Sequence, residues 1–135
     1  KRPPRNIQER IRGLNAAEQQ RLARMGDQRD RVVLERTYGK NVWESLLRNP
    51  KLTPPEAARI ARMGSLPTPL IELIVNNRAW LSAPQVRRAL LSNPRLKRDM
   101  IMTVLRATPK NELRLMPKQM AYPIHVRQAA TKMLK

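Results

Sequence analysis

Apolar residues recur along this chain at helical spacing, and nowhere in a sustained alternation of two. Ile7, Ile11 and Leu14 stand at i, i+4 and i+7 and predict a first helix over Asn6–Leu14. A second is expected to start at Asn15, whose side chain can cap the helix while Glu18 three positions on completes a capping box, and to close at Gly26. Further helices are expected near Arg29–Tyr38, Asn41–Leu47, Pro54–Met63, Pro69–Asn76, Pro84–Leu91, Arg98–Ala107, Asn111–Met116 and Ile124–Leu134. Twelve Pro against four Gly fall mostly between these segments, as in Thr53-Pro54-Pro55-Glu56, where Pro occupies the first helical turn at no cost in hydrogen bonds. No Asn-Gly or Asp-Gly hairpin turn occurs. The pattern predicts an all-α fold of about eight to ten short helices.

The stretch from Asn41 to Leu52 repeats from Gln85 to Leu96 at an offset of 44 residues. Val42 falls on Val86, Leu46 and Leu47 on Leu90 and Leu91, Asn49-Pro50 on Asn93-Pro94, and Leu52 on Leu96. In the helix that follows, Ile60 and Ala61 fall on Val104 and Leu105. A shorter echo, Val126-Arg127-Gln128-Ala129-Ala130, resembles Val86-Arg87-Arg88-Ala89-Leu90. A helix, an Asn-Pro stop, a Leu and a second helix form a unit that cannot bury its apolar face alone, so it must stack on its neighbours. Asn is expected to satisfy the last carbonyls of a helix or to take the left-handed conformation there, and Pro to forbid continuation. The expected core is Val42, Leu46, Leu47, Leu52, Ile60, Leu70, Leu73, Ile74, Val86, Leu90, Leu91, Leu96, Ile101, Val104 and Leu105.

Leu-Leu-x-Asn-Pro-x-Leu followed by an amphipathic helix, with Val-Arg-x-Ala elsewhere, resembles the bacterial leucine-rich-repeat-variant and HEAT-like α-solenoid proteins over roughly residues 27–134. The resemblance implies a short-helix α-solenoid of three or so units. It divides the chain into a basic arm at 1–5, N-terminal helices at 6–26 that cap the array or bind a partner, and a helical-repeat domain at 27–135. Such motifs specify packing and say little about function.

Composition narrows the chemistry. Cys is absent, which removes disulfides, thiolate nucleophiles and Cys-ligated metals. The longest uncharged run, Met63 to Ile71, is about half of what a bilayer crossing needs, so a cytoplasmic protein is expected. The chain opens on Lys1 rather than Met, as expected of a processed or excised piece, and Lys1-Arg2-Pro3-Pro4-Arg5 reads as a flexible arm or a domain linker.

No constellation for catalysis stands out. His125 is the single His, and Glu44, Glu56, Glu72, Asp99 and Glu112 form no recognisable pair. A helical-repeat DNA glycosylase would need an acid in an aromatic-lined cleft, and with no Phe, two Trp and two Tyr the material is missing. Trp43 and Trp80 have the residue type to stack on bases, but both stand in apolar helical contexts where packing is the expected role. The expectation is a module that binds rather than catalyses, with no cofactor, metal or small-molecule substrate.

Charge supplies the positive signal. Lys and Arg number 28 against 10 Asp and Glu, for a formal net charge of +18. A field of that sign attracts polyanions. Lys51 falls on Arg95 and Arg62 on Arg106 in the repeat register, and Arg48, Arg59, Arg87, Lys97 and Arg98 lie around them. These nine residues are the predicted binding surface. Nucleic acid, DNA or RNA, held through its phosphates is the preferred partner, because base-reading aromatics are scarce. An acidic protein docked on a scaffold is the alternative, and an anionic membrane surface is disfavoured for want of a helix with a large apolar face.

Overall fold

The computed structural model describes residues 6–135, which form eleven α-helices and two 3-10 turns with no strand among them. The basic arm expected at 1–5 lies outside the described residues. The helices are α1 (Ile7–Arg12), α2 (Ala16–Met25), α3 (Gln28–Tyr38), α4 (Trp43–Leu47), α5 (Pro54–Ala61), α6 (Thr68–Val75), α7 (Arg78–Leu81), α8 (Pro84–Leu91), α9 (Arg98–Arg106), α10 (Lys110–Leu113) and α11 (Ile124–Leu134). One helix more than the expected eight to ten is present: α7 has only four residues, too short to show a period. The chain forms two compact units, divided between Leu52 and Thr53. Within the first unit α2 packs on both α3 and α4.

In the first unit, local signals start each helix. Asn15 and Glu18 form the predicted capping box, and Asp27 with Asp30 forms another at the start of α3. Backbone hydrogen bonding at the cap holds the Asp27 carboxyl below its ordinary range. Gly26 is required between α2 and α3, because a Cβ there would sit 2.5 Å from the Leu22 carbonyl oxygen. Gly39, at φ 52°, turns the chain out of α3 in a conformation that favours glycine. Ile11, Ala23, Leu34, Val42, Trp43 and Leu46 are buried. Gln20 bridges α2 to α4, donating to the Asn41 carbonyl at 2.6 Å and accepting from the Ser45 hydroxyl.

In the second unit α5 packs against α8, α6 against α9, and α9 against α11. Fourteen of the fifteen expected core residues, counted over both units, are buried; Leu73 is half-buried. Trp43 and Trp80 are 5% and 7% exposed, so both pack in the interior and neither offers a face for stacking.

The Asn-Pro-x-Leu element is a capping device, and it works the same way in each unit. Asn49 Nδ2 donates to the carbonyls of Ala23 and Gly26 at 3.0 and 3.1 Å, at the C-terminal end of α2. Asn93 Nδ2 donates to Ala61 and Met63 at 2.7 and 2.9 Å, at the end of α5. Each Asn Oδ1 accepts the amide two residues on, that of Lys51 or Arg95 at 2.9 Å. Each Asn carbonyl accepts from Leu52 or Leu96, closing a turn with Pro at its second position. The turn drops that Leu into the core. Asn therefore satisfies helix-end carbonyls as expected, but those of a different helix. The left-handed alternative is not used, since no non-Gly residue among those described has a positive φ.

Asn93→Ala strands two carbonyls and a turn amide, and should destabilise by about 2–4 kcal/mol in urea unfolding. Asn93→Asp keeps the shape and the acceptor but turns a carboxylate oxygen on the Ala61 and Met63 carbonyls. It should be no better tolerated than Ala at neutral pH, whereas an Asp variant of native stability would show that the donated bonds contribute nothing.

Candidate functional site

The structure sorts the predicted cations into those the fold uses and those it leaves at the surface. Arg87 belongs to the first class and is withdrawn from the binding surface: it is 3% exposed, with its guanidinium paired to both Glu112 carboxylate oxygens at 3.0 Å and donating to the Leu81 carbonyl at 2.7 Å. Such a fork needs a guanidinium and its several donors. Arg31 and Arg127 do the same work at the same place in their helices. All three stand fourth in a helix and turn back to a carbonyl that precedes it: Arg31 to Gly26 at 2.9 Å, Arg87 to Leu81, Arg127 to Tyr122 at 3.1 Å. This is the physical content of the Val-Arg echo between residues 86–90 and 126–130.

The other predicted residues, Arg48, Lys51, Arg59, Arg62, Arg95, Lys97, Arg98 and Arg106, are exposed. Arg48 caps the end of α4 and pairs with Glu44 at 3.2 Å. Arg62 caps the end of α5, and Arg95 extends Nη1 toward the Ser65 carbonyl at 3.4 Å. Lys97 and Arg98 open α9, and Arg106 ends it.

Three grooves of the second unit are bordered by these cations. One, of about 460 Å³, holds Arg62 and Arg88 beside Ser92, Gln119 and Tyr122. Burial pushes the Tyr122 phenol up, against the opposing pull of the Arg88 charge, so it is neutral at physiological pH. A second, of about 700 Å³, holds Arg78 and Arg106 with Asn76, Ser82 and Thr103. A third, of about 620 Å³, lies between α9 and α11 and carries Arg98, His125 and Lys132. None of the three is lined by Asp or Glu. The groove of the first unit is different, because Asp27 and Asp30 face Arg10 and Arg29 there, and Arg10 pairs with Asp30 at 2.8 Å. Arg62 and Arg106, paired by the repeat, border separate grooves, and Lys51 belongs to the first unit.

Sequence reasoning missed Arg78 and Arg88. It also missed a second repeat, Arg21-Leu22-Ala23-Arg24-Met25-Gly26 against Arg59-Ile60-Ala61-Arg62-Met63-Gly64, at an offset of 38 residues. This is the helix end that each Asn clamps, and a search at more than one offset would have found it.

The chain matches no protein-family model, no characterised protein and no solved structure in comparisons of sequence and fold.

Glu112→Ala removes the partner of a buried guanidinium. Because Glu112 is itself 29% exposed, the loss should lie at the lower edge of what breaking a buried pair costs, about 2–3 kcal/mol of unfolding free energy. Arg114→Ala, an exposed neighbour, should change stability by less than about 0.5 kcal/mol in the same measurement.

Proposed function

We propose that the chain is a non-catalytic helical-repeat module of the HEAT-like kind that binds nucleic acid through its phosphates, with the Thr53–Lys135 unit as the main contact surface. The observation that carries this reading is the exclusion of carboxylates from two cation-bordered grooves of that unit, those of Arg62 with Arg88 and of Arg78 with Arg106. The unit has fifteen Lys and Arg against four Asp and Glu. Of the four acids, Glu56 is buried in a capping box with Thr53 and Glu112 is held by Arg87, so only Glu72 and Asp99 stand exposed. A phosphate chain meets cations there with little repulsion.

The buried tryptophans favour phosphate contact over base stacking, so little sequence preference is expected. A binding rather than a catalytic role is supported by Glu44, Glu56 and Glu112, which are committed to ion pairs and caps. Among the described residues no helix is long and apolar enough to cross a membrane.

The test is the salt dependence of binding to a fluorescent DNA duplex. Changing Arg62, Arg78, Arg88 and Arg106 together to Gln should flatten the slope of log affinity against log salt by about three to four, at about 0.9 per phosphate contact. The same change at Arg10, Arg21, Arg29 and Arg36 removes equal charge from the first unit and should flatten it much less. Equal effects from both sets would reduce the attraction to net charge alone, and no binding by the unaltered protein at low salt would end the proposal.

A further inference from the structure

The groove between α9 and α11 has a chemistry that phosphate binding does not use. Its α9 wall carries Arg98, Ile101 and Met102, at i, i+3 and i+4, and its α11 wall carries His125, Ala129 and Lys132, at i, i+4 and i+7. Those spacings put one stripe of each helix on the groove. Ile101, Met102 and Ala129 make an apolar floor, and the cations stand along it as rims. Ile101 is 4% exposed, so the floor is set in the packed core, while Met102 and Ala129 are half-buried and reachable. At the positions of α5 that correspond to Ile101 and Met102 stand Ala57 and Ala58, both buried. The larger side chains on α9 occupy width where α5 carries methyl groups.

We propose that this groove docks an amphipathic helix whose apolar edge is flanked by Glu or Asp. A bare phosphate chain satisfies the rims and leaves the floor wet, and an uncharged apolar helix covers the floor and leaves Arg98 and Lys132 desolvated without partners. An acidic amphipathic helix meets both demands, with its apolar residues on Met102 and Ala129 and its carboxylates on the rims. The α11 wall runs from His125 to Lys132, about 10 Å, so a docked segment of about three turns covers it. Met102 suits such a site because its flexible thioether adapts to an incoming side chain. This inference stands apart from the phosphate reading, which can fail without affecting it.

The probe is a fluorescein-labelled peptide of about eleven residues with Leu on one helical edge and Glu on both sides of it. A scrambled peptide of the same composition and an oligonucleotide of similar charge serve as comparisons. The ordered peptide should bind the full chain more tightly than the scrambled one by at least about tenfold, which is about 1.4 kcal/mol. Ala129→Trp fills the groove without altering charge; it should abolish that preference and leave oligonucleotide affinity within about twofold. Arg98→Glu with Lys132→Glu should reject the acidic peptide and accept its Leu/Lys counterpart. Equal binding of ordered and scrambled peptides, or an unchanged preference in a folded Ala129→Trp variant, would overturn the proposal. So would loss of both ligands in Ala129→Trp, which would make the groove a nucleic-acid site.

Discussion

A short helix leaves its last four carbonyls without intrahelical partners, and in a chain of short helices this shortage governs everything else. Half the carbonyls of the eight-residue α5 are in that position. Its N-terminal end is easily satisfied, since Pro54 has no amide proton to place and Glu56 closes a capping box. The C-terminal end needs donors from elsewhere. Asn93 brings them from the end of α8, as Asn49 does from the end of α4 to α2. One side chain thus caps one helix, ends another through the Pro that follows it, and aims a Leu into the core. The two paired helices must finish side by side for this to work, so the clamp fixes their register as well as their ends.

The same shortage gives several of the twenty arginines, against eight lysines, a use within the fold. A buried carbonyl is better served by a guanidinium, which carries five donors in a planar fork and keeps its charge. Arg31, Arg87 and Arg127 use those donors on carbonyls just before their own helices. Arg48, Arg62 and Arg106 stand at helix C-terminal ends, where a cation complements the negative end of the dipole by about 0.3–1 kcal/mol. Part of the +18 therefore serves the fold, and Arg62 and Arg106 border grooves as well.

Apolar periodicity reveals the helices because each buries one stripe, and it fails at α7, where four residues cannot show a period. Trp80, the residue α7 buries, looks from its neighbours only like part of an apolar context. Asn-Pro is legible as a stop, but the helix whose carbonyls it satisfies lies 26 residues back for Asn49 and Ala23, and 32 for Asn93 and Ala61. That difference of six separates the two repeat offsets, 38 and 44, and it is why one alignment cannot show both halves of the device. Arg87 could not be told from its neighbour Arg88 by residue type. The distinction lies in Glu112, 25 residues on, and in which side of α8 faces the core.

Cations that the fold can explain differ from those it cannot. Arg62 and Arg106 favour the helices they end as well as bordering grooves. Lys97 and Arg98 open α9, where the dipole is positive and a cation opposes the helix. Asp99 in the same turn offsets only part of that cost. Neither cation is buried, so neither serves the core. Arg98 is also the cation that rims the apolar groove between α9 and α11. Arg98 is thus a cation that opposes the dipole of its own helix and stands beside the apolar residues Ile101 and Met102 of that groove.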